Sequence, residues 1–344
     1  MNQKTVIYKL QSVLKLILMP LAVFLIFEII DRLSTGKGLI SSIADLRVLF
    51  RTVITCYCFA MALNCNLLLG RMDLSAGAQM FMGCIFGGNI ALQLNLGGIG
   101  ILILSIVIGA LCGLLVGVIF VNMRILPMVL GIGMTLIFEC FSFGAYNQQG
   151  LMLYGKKNVE ILSNITFIFF IAILLIFIMT ILFQHSTFGY SRRAIQGSQK
   201  LAADSGINIF KNCIWCYVIA GALVACAGVF DTAYKGTLIP GLGMSSNGSV
   251  FSNMFPMFLG IWLGSFVGNP VIGVLGGALS IKLLTLGLSK LALGGSTQNI
   301  IIYSLFLIFM IYRTNSNKLK KLKEKKIRIK LAQETRRVEN LQII

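Results

Sequence analysis

The sequence predicts an all-α protein, a polytopic bundle of about ten membrane-spanning helices. Ile99–Val121, Asn164–Phe183 and Leu291–Tyr312 are uncharged apolar runs, each near the roughly 20 residues that cross a bilayer core. Gly236–Ile281 carries no charge and is long enough for two crossings. Of the 344 residues, 57% are hydrophobic and 12% charged, and the mean hydropathy is +0.89. A soluble fold cannot bury that much continuous apolar chain. The runs are solidly apolar rather than alternating, which selects helices over a membrane β-barrel.

In chain order the expected spans are 12–30, 50–69, 75–96, 99–121, 126–146, 164–183, 213–233, 250–267, 270–288 and 297–313. Lys4, Lys9 and Lys15 precede or open the first and hold the N-terminus on the cytoplasmic side of the cell membrane. No small-residue cleavage site follows it, so it reads as a span and not a signal peptide. The fourth carries Gly109, Gly113 and Gly117; the eighth carries Gly260 and Gly264, with Gly268 just beyond; the ninth carries Gly273 and Gly277. Four-residue glycine spacing lets helix backbones approach where lipid supplies no hydrophobic drive. The nine cysteines lie mostly in apolar runs, as Cys84, Cys112 and Cys226 do, and read as small buried hydrophobes. Cys213 and Cys216 have C-x-x-C spacing without a second pair, which points to structure rather than a metal.

Ten spans return the C-terminus to the cytoplasm. The net charge is +18, and the chain from Arg313 onward holds eleven Lys/Arg against three Glu. Residues 1–313 therefore read as the transmembrane domain and 314–344 as a basic cytoplasmic tail. A basic run directly after a span suits anionic membrane lipid, or a solvated tail that only sets topology, better than nucleic acid.

No catalytic constellation is present. His185 has no acid near it in sequence, and neither a metalloprotease, a nucleophile-elbow nor a P-loop motif occurs. The chain reads as a transport protein rather than an enzyme, without a cofactor of its own. Any nucleotide-driven step belongs to another chain. Intramembrane polar residues are then the pointers to function. Asn64 and Asn66 near the end of the second span, Glu139 in the fifth, Lys282 in the ninth and Gln298 opening the tenth are candidates to line a path. Amides also serve as glue between helices. For Glu139 and Lys282, a cavity or a charge partner is expected. A single acid such as Glu139 suits a proton relay, which keeps a stand-alone secondary transporter or channel as the alternative reading. The polar stretch Gln184–Asn212 reads as a short helix on the cytoplasmic face, a docking surface or an ordinary loop, with Gly206 at a helix C-cap.

Gly70-Arg71-Met72-Asp73-Leu74-Ser75-Ala76-Gly77 resembles the G-G-x-D-L-S-x-G signature of ribose-type monosaccharide permeases of ATP-binding-cassette importers. Asp73 or Ser75 is placed to cap the next helix, and Gly70 and Gly77 permit a tight re-entry. Ala194 to Ile207, with Gly197, Ala202, Ser205 and Gly206, resembles the family's cytoplasmic coupling segment. Looser matches are Pro127-Met128-Val129 with Gly133-Met134, and Gly287-Leu288 with Gln298. The resemblance covers roughly residues 50–313 and implies a type II-like importer permease for a small polar solute. It also implies a second permease copy or homologous chain, ATPase subunits docked at the coupling segment with ATP on them, and an extracytoplasmic solute-binding protein. Arg71 and Gln196 stand where the family has Gly, and Ser198 where it has Asn. The stretch 248–253 replaces an acidic pattern. The chain is thus a divergent member.

Overall fold

The computed structural model describes residues 3–342. Each expected span is a helix: α1 (Gln3–Thr35), α2 (Ile43–Leu67), α3 (Ala76–Gln93), α4 (Gly97–Met123), α5 (Pro127–Gly144), α6 (Ile165–Thr180), α9 (Ile209–Lys235), α10 (Asn247–Val267), α11 (Pro270–Lys290) and α12 (Gly295–Gln342). Between α6 and α9 lie two short helices, α7 (Thr187–Gly197) and α8 (Gln199–Asp204), where the sequence predicts one. Ser198 ends α7 and caps α8, its side chain accepting from the Leu201 N–H. Among the described residues nine helices are long and apolar enough to cross a membrane. α3 is not among them. It holds Gln79 and Asn89 and is buried along most of its length, walled by α4, α5, α9 and α10. A helix sheathed by protein has no lipid-facing surface that must be apolar.

The chain divides into two units at Leu291/Ala292. The second is α12, which runs unbroken through residue 313, where the sequence places the border between membrane and tail. In it, the Gln298 side-chain amide donates to the Leu293 carbonyl at 2.8 Å.

In the first unit, α2, α3 and α9 form the centre, α4 packs on α3 and α9, α10 pairs with α11, and α1 lies on α11. The glycine rows are the contact surfaces. A Cβ on Gly109 would lie 2.5 Å from both the Gly221 carbonyl oxygen and the Ala225 Cβ, and one on Gly277 would lie 2.6 Å from the Gly260 nitrogen. Residues with side chains would hold these backbones apart, and the dispersion contacts of close packing would be lost.

The two ends of this unit are secured differently. At one end β1 (Leu151–Met152) pairs antiparallel with β2 (Thr237–Leu238). There Lys290 closes α11 by donating to Asp45 Oδ2 at 2.8 Å, Ser41 Oγ at 3.0 Å and the Gly38 carbonyl at 3.2 Å. The sequence expects a cavity or charge partner at Lys282. Lys282 is half-buried and forms no ion pair among the described residues. The acid that Lys290 meets, Asp45, sits in the first turn of α2, level with Lys290, two helical turns beyond Lys282. At the other end α7 and α8 lie against the ends of α2 and α9.

Gly109→Val is expected to force α4 off α9 and to destabilise the unit by about 1–3 kcal/mol, the usual cost of overpacking. A thermal unfolding curve of the detergent-purified protein should show a lowered midpoint, and an unchanged midpoint would contradict the packing.

Candidate functional site

Two interruptions of the helical bundle meet inside it. The first is 68–75, between α2 and α3. Gly70 turns the chain there at φ +75°, a conformation that costs glycine little. The Leu69 and Arg71 N–H groups both donate to the Asn66 carbonyl, at 3.0 and 3.2 Å. The Asp73 carboxylate then organises the start of α3. Its Oδ1 accepts from the Ser75 N–H at 2.9 Å and from the Ser75 hydroxyl at 2.6 Å; its Oδ2 accepts from Gln79 Nε2 at 3.2 Å. Gln79 Nε2 also donates to Ser75 Oγ at 2.8 Å. Of the two residues the sequence offers as caps, Asp73 takes the backbone bond, while the Ser75 side chain makes no capping bond.

The second interruption is 239–246, which leads into α10. α5 pins both. Thr135 Oγ donates to the Leu74 carbonyl at 3.1 Å, and Gly131 leaves room for the Leu74 backbone. One turn further along, Glu139, fully buried, accepts the Met244 N–H at 2.7 Å and the Ser246 N–H at 2.8 Å. The glycine ending the D-L-S-x-G run, Gly77, completes the contact, because a Cβ there would strike the Ser246 carbonyl. Backbone that leaves a helix within a bilayer must find such partners in protein.

A cavity of about 10 Å³ lies where the first interruption faces α9 and α10, lined by Asn66, Met72, Asp73, Ala220, Met254 and Met257 among others. Asn66 is 2% exposed, and neither amide atom of its side chain has a hydrogen-bond partner. Leaving such a group unpaired costs about 1–3 kcal/mol per atom.

Asn64 has a different setting. Its carbonyl oxygen and its side-chain Oδ1 accept from Arg192 Nη2 at 2.6 and 3.0 Å. Arg192, on α7, is 2% exposed and lies 4.7 Å from the Phe183 ring centroid. Burial lowers its pKa from the ordinary arginine value, yet a guanidinium stays charged in proteins. α7 is thus clamped to the end of α2 by a buried cation. α8 ends at Gly206, φ +80°, with the Gly206 N–H on the Ala203 carbonyl at 2.9 Å and the Ile207 N–H on the Ala202 carbonyl at 3.0 Å. That is the double bond of a glycine-terminated helix.

The sequence-derived residues therefore separate. Gly70, Asp73, Leu74, Ser75 and Gly77 gather with Asn66 and Glu139 at the meeting of the interruptions. Asn64 and Arg192 form the clamp, Gln298 belongs to the separate α12 unit, and Lys282 stands apart. Of the residues expected to couple to another chain, Ala194, Gly197, Ser205 and Gly206 are exposed, whereas Ala202 is buried against its own unit. The sequence reading missed Gln79, Thr135, Arg192 as an anchor, and Leu201, which is 67% exposed on α8. Gln79 had a signal, an amide one turn after Ser75 in a largely apolar helix. Thr135 had none.

Glu139→Ala is expected to leave two buried N–H groups unpaired and to cost about 2–5 kcal/mol. Hydrogen exchange at Met244 and Ser246 should accelerate more than within α10, and unchanged protection there would contradict the pinning role.

Residues 46–310 match the family described as branched-chain amino acid transport system / permease component. Among curated relatives, the galactose/methyl galactoside import permease protein MglC of Haemophilus influenzae is 26% identical over 69% of this chain and 76% of its own. The fructose import permease protein FrcC of Rhizobium meliloti is 24% identical over 83% and 82%. The Escherichia coli galactose/methyl galactoside permease is 23% identical over 67% and 74%. No solved structure matches the chain. The family match covers well over half of the chain and the nine membrane-length helices fit it, so this protein belongs to the branched-chain amino acid transport system / permease component family and is a multi-pass permease subunit of an importer.

Proposed function

We propose that the protein forms the membrane path of an ATP-binding-cassette importer for a monosaccharide or a closely related polar solute. The relatives named above import galactose and fructose, and the D-L-S-x-G run is of the monosaccharide-permease type. These two observations favour a sugar over the amino acids of the family's description. ATP is bound and hydrolysed on separate ATPase subunits. A second permease copy or a homologous chain completes the path, and an extracytoplasmic binding protein delivers the solute. Both termini are cytoplasmic, and the basic end of α12 faces anionic lipid.

The observation that carries the reading is the α7–α8 pair. It is rigidly attached through buried Arg192 and presents Leu201 to the outside. Together with the resemblance of residues 194–207 to a coupling segment, this exposed face is the one assigned to docking on another chain. Movement of a docked ATPase is then transmitted through Arg192 to the end of α2, and from there to the 68–75 interruption. The two states must differ in contact energy for ATP to shift access, and a clamped element transmits such a difference better than a loose loop.

The secondary-carrier alternative rested on Glu139 as a relay. Both its oxygens accept backbone N–H groups, a use that favours anchoring over proton traffic.

Leu201→Glu is expected to abolish co-purification of the ATPase subunits and to reduce ATP-driven uptake at least tenfold, with the thermal midpoint of the isolated chain unchanged. Gly206→Glu, strained at positive φ, should act in the same direction. Normal uptake by well-expressed Leu201→Glu protein, or uptake by the chain alone in liposomes, would overturn the reading.

A further inference from the structure

We propose that Asn66 is a sugar-hydroxyl-binding residue of the transport path, and that Met72, Met254 and Met257 form a gate closed over it. The inference rests on the sugar-import reading and goes beyond it by naming the contact. Asn66 and Asn64 are both buried near the end of α2, but only Asn64 has its side-chain oxygen engaged. The free Asn66 amide points into the cavity that it shares with Asp73. An amide offers a donor and an acceptor side by side, which is what two neighbouring hydroxyls of a sugar require. Asp73 Oδ2 takes one bond, from Gln79, and keeps acceptor capacity for a further hydroxyl.

The rest of the wall is apolar, and three of its members are methionines. Methionine is unbranched and repacks readily, and its thioether lies well against the C–H face of a sugar ring. The cavity, about 10 Å³, is on the order of the space for a single water. A small-molecule site needs about 300 Å³ or more. The methionines must therefore withdraw before solute reaches Asn66. Their positions suit this, because Met72 belongs to the 68–75 interruption while Met254 and Met257 belong to α10. Separation of those two elements opens the cavity.

The test uses the complete importer, this chain with its ATPase and binding protein, in proteoliposomes. ATP-driven uptake of labelled D-galactose, D-fructose and their monodeoxy analogues is measured at saturating sugar, each as a ratio of variant to wild type. Asn66→Ala should lower uptake of the parent sugar about tenfold while leaving at least one deoxy analogue unchanged, because a site that hydrogen-bonds a hydroxyl discriminates against its absence. Met257→Ala should raise ATP-independent leak of the parent sugar several-fold. If Asn66→Ala does not assemble, Asn66→Ser replaces it, with a smaller change in the same ratio expected. Equal loss for parent and all analogues, or no loss, overturns the Asn66 assignment, and absence of leak in Met257→Ala overturns the gate. If the wild-type importer moves neither sugar, the sugar-import reading itself fails and the inference falls with it.

Discussion

Everything at the centre of this protein depends on one constraint. Backbone N–H and C=O groups that leave a helix inside a bilayer have no water to bond, so protein must supply their partners. The chain interrupts its helices twice, at 68–75 and 239–246, and brings both interruptions to α5. Thr135 holds the Leu74 carbonyl, Glu139 holds two N–H groups before α10, and Asp73 holds the start of α3. Remove those side chains and the interruptions become buried orphans rather than a site. The same arrangement explains why α3 is tolerated with so little hydropathy: neighbours cover it, and its Gln79 is needed by Asp73.

Close approach is the second requirement. α3, α4 and α9 lie nearly in backbone contact, which the glycines at 83, 109 and 221 permit. The packing glycines and the polar centre are one design.

The buried Arg192 joins this centre to the surface. Its Nη2 bonds to Asn64, two residues before Asn66 and immediately ahead of the first interruption. A short helix at the surface is thereby connected to the interior through two bonds from one buried guanidinium nitrogen to Asn64, with Nε donating to the Cys65 carbonyl at 3.5 Å. In the importer proposed above, this link is the route by which a docking movement reaches the path.

Much of this was legible in the sequence. Apolar run length located all ten helices, nine of them long and apolar enough to cross a membrane among the described residues, because bilayer thickness sets that length. Four-residue glycine spacing announced close helix contacts, and the D-L-S-x-G run marked the first interruption. The roles of the intramembrane polar residues were not legible, since they depend on partners far away in the chain. Glu139 became an anchor because Met244 and Ser246 arrive beside it. Asn64 and Asn66, two residues apart and chemically identical, received different tasks because Arg192 reaches one and the cavity the other. Lys282 and Lys290 lie on one helix, yet only Lys290 meets an acid, because Asp45 sits at its level. Composition and periodicity are local properties and determined what spans the membrane. Which polar group meets which is a long-range property, and only the tertiary structure decided it.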